Sequence, residues 1–235
     1  MPYVLGHVYL ASRLSKDHQF ILGNIFPDIS HLINKETHAK MLKFAELYSN
    51  LNGNIIFYDG VKNHFRVDSY MHPNFVYKKM EILKEKFNEI NDILAHGLIE
   101  ATMDKEINKM HPYVSKTLRK SLKHFDYEGL SLYLADYLHM DRKKIKNIVK
   151  DGVNVINTKN IYSVKSLVIR GLLLGKYSIG RNFLTGVKIS HTRSILRKTR
   201  EIIKEDYQEY LDKTVEITRK RLKTEAKNWY TLEDF

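Results

Sequence analysis

His64 and Asp68 stand four residues apart, and so do His96 and Glu100. His72 follows Asp68 by four, and Asp104 follows Glu100 by four. On a helix, residues i and i+4 lie one above the other on the same face. Each pair therefore offers an imidazole nitrogen and a carboxylate oxygen to one point in space. That is the donor set a borderline divalent cation such as zinc takes. One such pair arises readily by chance. Two pairs, with His7, Asp28 and His38 upstream, are hard to explain as surface decoration. The chain has no cysteine, so disulfides are excluded and any metal site must be built from His, Asp and Glu.

These pairs need helices beneath them, and the sequence favours helices. Only 4 prolines and 11 glycines occur in 235 residues, and strand-like alternation is scarce. The apolar pattern predicts helices over residues 5–15, 36–50 and 54–71, the last largely buried. IFPDIS (25–30) reads as a break, because the residue before Pro27 is pushed out of helical geometry. Pro73 places His72 at or just past the end of the 54–71 helix. Residues 75–109 read as one long helix or two consecutive ones. Helices over 113–124, 127–137 and 141–150 follow, then an apolar segment at 162–175 and one long charged helix over 190–228. The expected fold class is all-α, a multi-helix bundle with a metal site between helices. Phe65, Val67, Tyr70, Leu94, Leu98 and Ile99 flank the two motifs and predict that both segments are buried. A buried carboxylate is costly unless it is paired or bound to a metal.

Apolar residues make up 43% of the chain, enough for a sizeable core, and no run of about 18 apolar residues predicts a membrane span. The opening MPYVLGHVYLASRL lacks a basic leader and a small-residue cleavage site, so it reads as the start of the mature fold and a cytoplasmic location is expected. The net charge of +12 is unevenly placed. Residues 1–112 balance 13 Lys and Arg against 13 Asp and Glu, whereas residues 113–235 carry 26 against 14. The expected organisation is a metal-binding helical core over 1–112 and a basic helical half over 113–235, packed on it as one domain. The basic half would draw an anionic lipid surface or a nucleic acid, or else form a solvated exterior.

The order His, Pro-Asp, His, His-x-x-x-Asp, His, His-x-x-x-Glu-x-x-x-Asp resembles the zinc-dependent phospholipase C and S1/P1 nuclease superfamily. The matching stretches are GHVYLA (6–11), LGNIFPDI (22–29), the Thr-His of KETHAK (35–40), GVKNHFRVDSYMH (60–72) and AHGLIEATMD (95–104). They span residues 6–104; little beyond 110 contributes. The resemblance implies an all-α domain holding three zinc ions in a cleft and cleaving phosphate esters. Asp28, His38 and His64 would hold one zinc, and Asp68 would bridge it to a second, completed by His7. His72, His96 and Glu100 would hold a third, and Asp104 would orient a ligand histidine from behind. The chain departs from secreted members in two ways. Those use the amine and carbonyl of an N-terminal Trp, where this chain has Met1 and its only Trp is Trp229. They also place a proline and a longer gap between the bridging Asp and the next His, where here Asp68 and His72 are four apart.

The other histidines have simpler readings. His18, His111, His124, His139 and His191 lack a correctly spaced carboxylate in an apolar helix and are expected to be satisfied locally. His31, three residues after Asp28, stands as an alternative to His38. The adjacent His-Asp pair required by another class of helical phosphohydrolases is absent, as are a phosphate-binding Gly-rich loop and a serine nucleophile motif. The expected activity is hydrolysis of a phosphodiester by two or three divalent ions, zinc or else manganese or iron. Asp28 and Asp68 are the expected catalytic carboxylates, Asp28 both holding metal and accepting a proton from water. Two alternatives use the same residues: an S1/P1-like nuclease, and a helical nucleic-acid or membrane-surface binding protein with a structural metal site.

Overall fold

The computed structural model describes residues 3–33, 35–88, 90–156 and 189–230, and these are helical throughout, with no strand among them. In chain order they form α1 (Val4–Ser12), α2 (His18–Ser30), α3 (Lys35–Asn52), α4 (Ile55–Met71), a π-helical turn (His72–Val76), α5 (Tyr77–Lys86), α6 (Asp92–Met110), α7 (Tyr113–Lys123), α8 (Tyr127–Leu138), α9 (Arg142–Ile156), α10 (Ile189–Lys204) and α11 (Tyr207–Tyr230). The apolar segment at 162–175 lies outside the described residues. No helix among the described residues is long and apolar enough to cross a membrane.

α1 is buried on every side from Val4 to Ala11, which makes it the central rod of the bundle. α2, α4, α6, α7 and α11 pack around it. The tightest crossing is between α2 and α4. A Cβ on Gly23 would sit 2.2 Å from the Phe57 carbonyl, and one on Gly60 would sit 2.3 Å from the Phe20 carbonyl. Only glycine at both positions lets the two backbones approach this closely. Beside that contact the buried Asn63 donates to Asn24 Oδ1 at 2.6 Å, which fixes the register of the two helices. α11 returns to the core, where Tyr207 lies against Tyr3 and Phe75. One hydrophobic cluster runs from Tyr3 to Val215.

Two elements differ from the sequence expectation. The break expected at IFPDIS does not occur: α2 begins at an Asp17 cap, whose carboxylate accepts from the Gln19 amide, and passes through Pro27. Pro27 removes one backbone donor and disfavours helical geometry before it. Residues Phe20 to Ser30 are nevertheless all buried, and tertiary packing outweighs the local preference. Pro73 acts as expected: α4 ends at Met71, with His72 at its cap. The backbone widens into the π-turn after His72, and the Tyr77 amide reaches back to the His72 carbonyl. Such π-turns are rare, occur mostly as single turns between α-helical stretches and are frequent at functional sites. The long helix expected over 190–228 is two helices, parted at Glu205 and Asp206. Lys79 of α5 is buried against that corner and donates to Asp206 at 2.9 Å, an anchor that no Gly or Pro in the sequence announces. The 75–109 stretch resolves into α5 and α6, with Asn91 capping α6 by accepting from the Leu94 amide.

Candidate metal centre

α4 and α6 present the two i,i+4 motifs toward each other, and α1 and the π-turn complete the ring around them. Among the described residues two groups could hold a metal ion: His7, His64 and Asp68, and His72, His96 and Glu100. In each, the donor atoms lie within 4.8 Å of one another. Asp68 stands between the groups. Its Oδ1 is 3.2 Å from His7 Nε2 and its Oδ2 is 3.2 Å from His64 Nε2. The same Oδ1 lies 3.7 Å from His72 Nε2. Glu100 Oε1 is 3.3 Å from His72 Nε2 and 2.8 Å from His96 Nε2. Asp28 reaches the edge of the first group, with Oδ2 4.0 Å from His7 Nε2.

These separations suit a shared ion. Donors bound at about 2.1 Å to one tetrahedral cation are about 3.4 Å apart. The close approaches also lack the alignment of hydrogen bonds: His64 Nε2, His96 Nε2 and Asp68 Oδ1 are buried without a hydrogen-bond partner. Buried polar atoms are rarely left so. His64 shows the consequence most clearly. Its Nδ1 lies 2.7 Å from the Asn24 carbonyl, which can only accept, so Nδ1 carries the hydrogen. Its Nε2 then faces Asp68 either as a lone pair, which a cation must bridge, or as an imidazolium. Ligand histidines are commonly oriented in this way through the second ring nitrogen. Pro27, whose carbonyl lies 3.1 Å from His38 Nδ1, treats His38 similarly.

The titration pattern follows from the same crowding. Burial alone would raise the Asp68 carboxyl, but His64 and His7 hold it well below the usual carboxylate range. Burial likewise opposes ionisation of Glu100, and His96 and His72 more than offset it. His72 is pushed down by burial, but Glu100 and Asp68 raise it to about 9. Burial depresses both His38 and His31, the latter to about 3, so these two imidazoles are neutral. With no metal, the neighbouring carboxylates favour a proton on His64 and on His72. A cation competes with those protons.

The eight expected ligands fall out unevenly. Six form the two compact groups, and Asp28 borders the first. His38 stands outside both, its ring 5.9 Å from that of His64 and stacked on His31 at 3.7 Å. The grouping also differs from the one carried over by resemblance: His64 gathers with His7 and Asp68, not with Asp28 and His38. Asp104 Oδ1 accepts from the amide of Gly6, the residue before His7, at 3.0 Å. The Asn24 and Pro27 carbonyls, which hold His64 and His38, were not foreseen. Backbone groups 40 and 11 residues away leave no mark in residue types. Comparison of the chain with models of protein families, with curated proteins and with solved structures finds no match in any of the three.

Proposed function

We propose that this chain is a metal-dependent phosphoester hydrolase, zinc the metal and a phosphodiester the substrate. The observation that carries the reading is Asp68 facing His7 and His64 on one side and His72 on the other, so that two donor groups share one carboxylate. Adjacent divalent ions supply Lewis acidity, which polarises a phosphoryl group and acidifies water. Both groups mix imidazole with carboxylate and contain no thiolate, a set that suits zinc and tolerates manganese or iron. His7, His64 and Asp68, bordered by Asp28, would hold one ion; His72, His96 and Glu100 would hold the other. Asp28, on the rim of the first group, is placed to accept a proton from water. The second group is the side from which substrate approaches: the His96 side chain is 32% exposed and the His64 side chain 0%.

A nuclease on the same residues is the second reading. It is favoured by Tyr77, which is 47% exposed, lies beside both His72 and His96 and could stack a base. Elemental analysis of protein never exposed to chelator, followed by assays on bis(p-nitrophenyl) phosphate and on single-stranded DNA, tests both readings. At least two divalent ions per chain and hydrolysis abolished by chelator and restored by zinc are expected. Absence of metal, or hydrolysis indifferent to chelator, overturns the proposal; preference for DNA selects the nuclease.

A further inference from the structure

Ligand histidines are commonly held in place by what their second nitrogen touches, and the buried His7 lacks such a contact. His64 and His38 have backbone carbonyls behind them. His7 Nδ1 is buried and has no hydrogen-bond partner among the described residues. Away from Asp68, which its Nε2 faces at 3.2 Å, the ring is held by packing: edge-on to Tyr3 at 5.3 Å and stacked on His64 at 4.1 Å. Packing fixes a ring only if the backbone that carries it is itself fixed.

That backbone is fixed from α6. Asp104 is fully buried and accepts from the amide of Gly6, the residue immediately before His7. Gly6 lies in the first turn of α1, where backbone amides have no partner within the helix. The α1 cap position, Tyr3, makes no capping bond with its side chain. A carboxylate supplied from another helix takes over that task and also complements the positive end of α1. The fit leaves no slack: a Cβ on Gly6 would lie 2.0 Å from the Tyr3 ring. His96, Glu100 and Asp104 follow one another at four-residue steps on α6. One helix face therefore supplies two donors of the second group and the anchor for the first.

We propose that Asp104 is a positioning residue, a cap supplied to α1 by α6 that sets the affinity of the His7 group for its metal without touching the ion. The proposal rests on the metal-binding reading of the two groups and not on the reaction they perform. It predicts an effect confined to one group. Removing the cap frees the first turn of α1 and His7 with it, while His72, His96 and Glu100 keep their places on α6 and the π-turn. Loss of an outer partner of a metal ligand commonly costs 10–100-fold in affinity, and a loss of that size is expected here.

The test is stepwise zinc titration by calorimetry of the full chain stripped of metal. His7→Ala and His96→Ala mark which step belongs to which group. Asp104→Ala should weaken the step lost in His7→Ala by 10–100-fold and leave the His96 step within about threefold. Asp104→Asn, whose amide oxygen still accepts from Gly6, should recover most of that loss. Should Asp104→Ala not fold, Asp104→Ser, which withdraws the oxygen from the Gly6 amide, takes its place in the comparison. Equal weakening of both steps would mean that Asp104 only stabilises the fold, and an unchanged first step would mean that it does not position His7; either overturns the proposal. If no step responds to His7→Ala in the parent protein, the metal reading of that group fails, and the proposal with it.

Discussion

The two donor groups share Asp68 but live in different surroundings. In the first, His7 is 2% exposed and His64 0%, and a backbone carbonyl or a capped helix turn holds each ring-bearing segment. In the second, His72 is 21% exposed and His96 32%, and both reach Glu100 from a π-turn and from the start of α6. The first group is preorganised and closed; the second is open to solvent and to whatever approaches from it. Preorganisation keeps an ion in place, and exposure lets a ligand or a chelator reach it. One carboxylate standing between a closed and an open group can couple the two, because its charge helps to neutralise a cation on either side.

The sharpest way to break the comparison is at the shared residue. Asp68→Asn is expected to empty both groups and to reduce phosphodiester hydrolysis by at least about a thousandfold, the scale on which two-ion hydrolysis depends on its metals. Glu100→Gln should lose only the ion of the open group. Elemental analysis of the two variants decides, and equal metal loss in both would remove the bridging role. Chelation comes next. Stripping the ions leaves Asp28, Asp68 and Glu100 crowded together, so the melting temperature should fall by several degrees or more, since a ligand bound only to the folded state stabilises it. The open group should empty first and the closed one more slowly. Simultaneous loss in stopped-flow chelation would show that burial does not distinguish them.

A smaller effect concerns protons. His72 in the metal-free protein is raised to about 9, above its unfolded value of about 6.5. Its contribution to the stability of the metal-free fold is therefore complete below about pH 6.5 and is lost as pH rises toward 9. Metal must displace the same proton, so zinc affinity of the open group should rise about tenfold per pH unit across that window and level off above it. Calorimetry in buffers of differing ionisation heat would count the proton released. A flat affinity would show that His72 is not displaced by metal. The smallest expected effect is electrostatic and remote. If the 26 basic residues of 113–235 recruit a polyanion, hydrolysis of DNA or anionic vesicles should fall steeply with salt. Hydrolysis of bis(p-nitrophenyl) phosphate should barely change. An identical salt response for both would leave the basic half as a solvated exterior.

The donor set was legible because its period matches the helix. His64 with Asp68 and His96 with Glu100 announce themselves four residues apart, and each pair is found meeting at its expected atoms. Helices α3, α4 and α7 followed from apolar recurrence in the same way. Pro27 misled, since local preference argues for a break there, whereas α4 does end before Pro73, at Met71. At Pro27 the burial of a whole helix face prevails, and at Pro73 the backbone widens by one residue and continues. The parting of α10 from α11 at Asp206 was invisible for a related reason: the residue that meets Asp206 there is Lys79, 127 positions away.

Composition, charge distribution and donor spacing are properties of the sequence by itself. They pointed to an all-helical chain whose candidate cation donors are thiol-free and lie in its neutral half. Which donors share a group is a property of helix crossings. Gly23 on Gly60 sets how near α2 comes to α4, and so whether the Asn24 carbonyl reaches His64. The Asp104 carboxylate meets the Gly6 amide, one residue before His7, across 98 positions of sequence. Side chains four apart on one helix meet whatever the rest of the protein does. Those brought together from different helices meet only after the core has packed, and only the tertiary structure could decide that His7 would join His64 and Asp68, and His72 join His96 and Glu100.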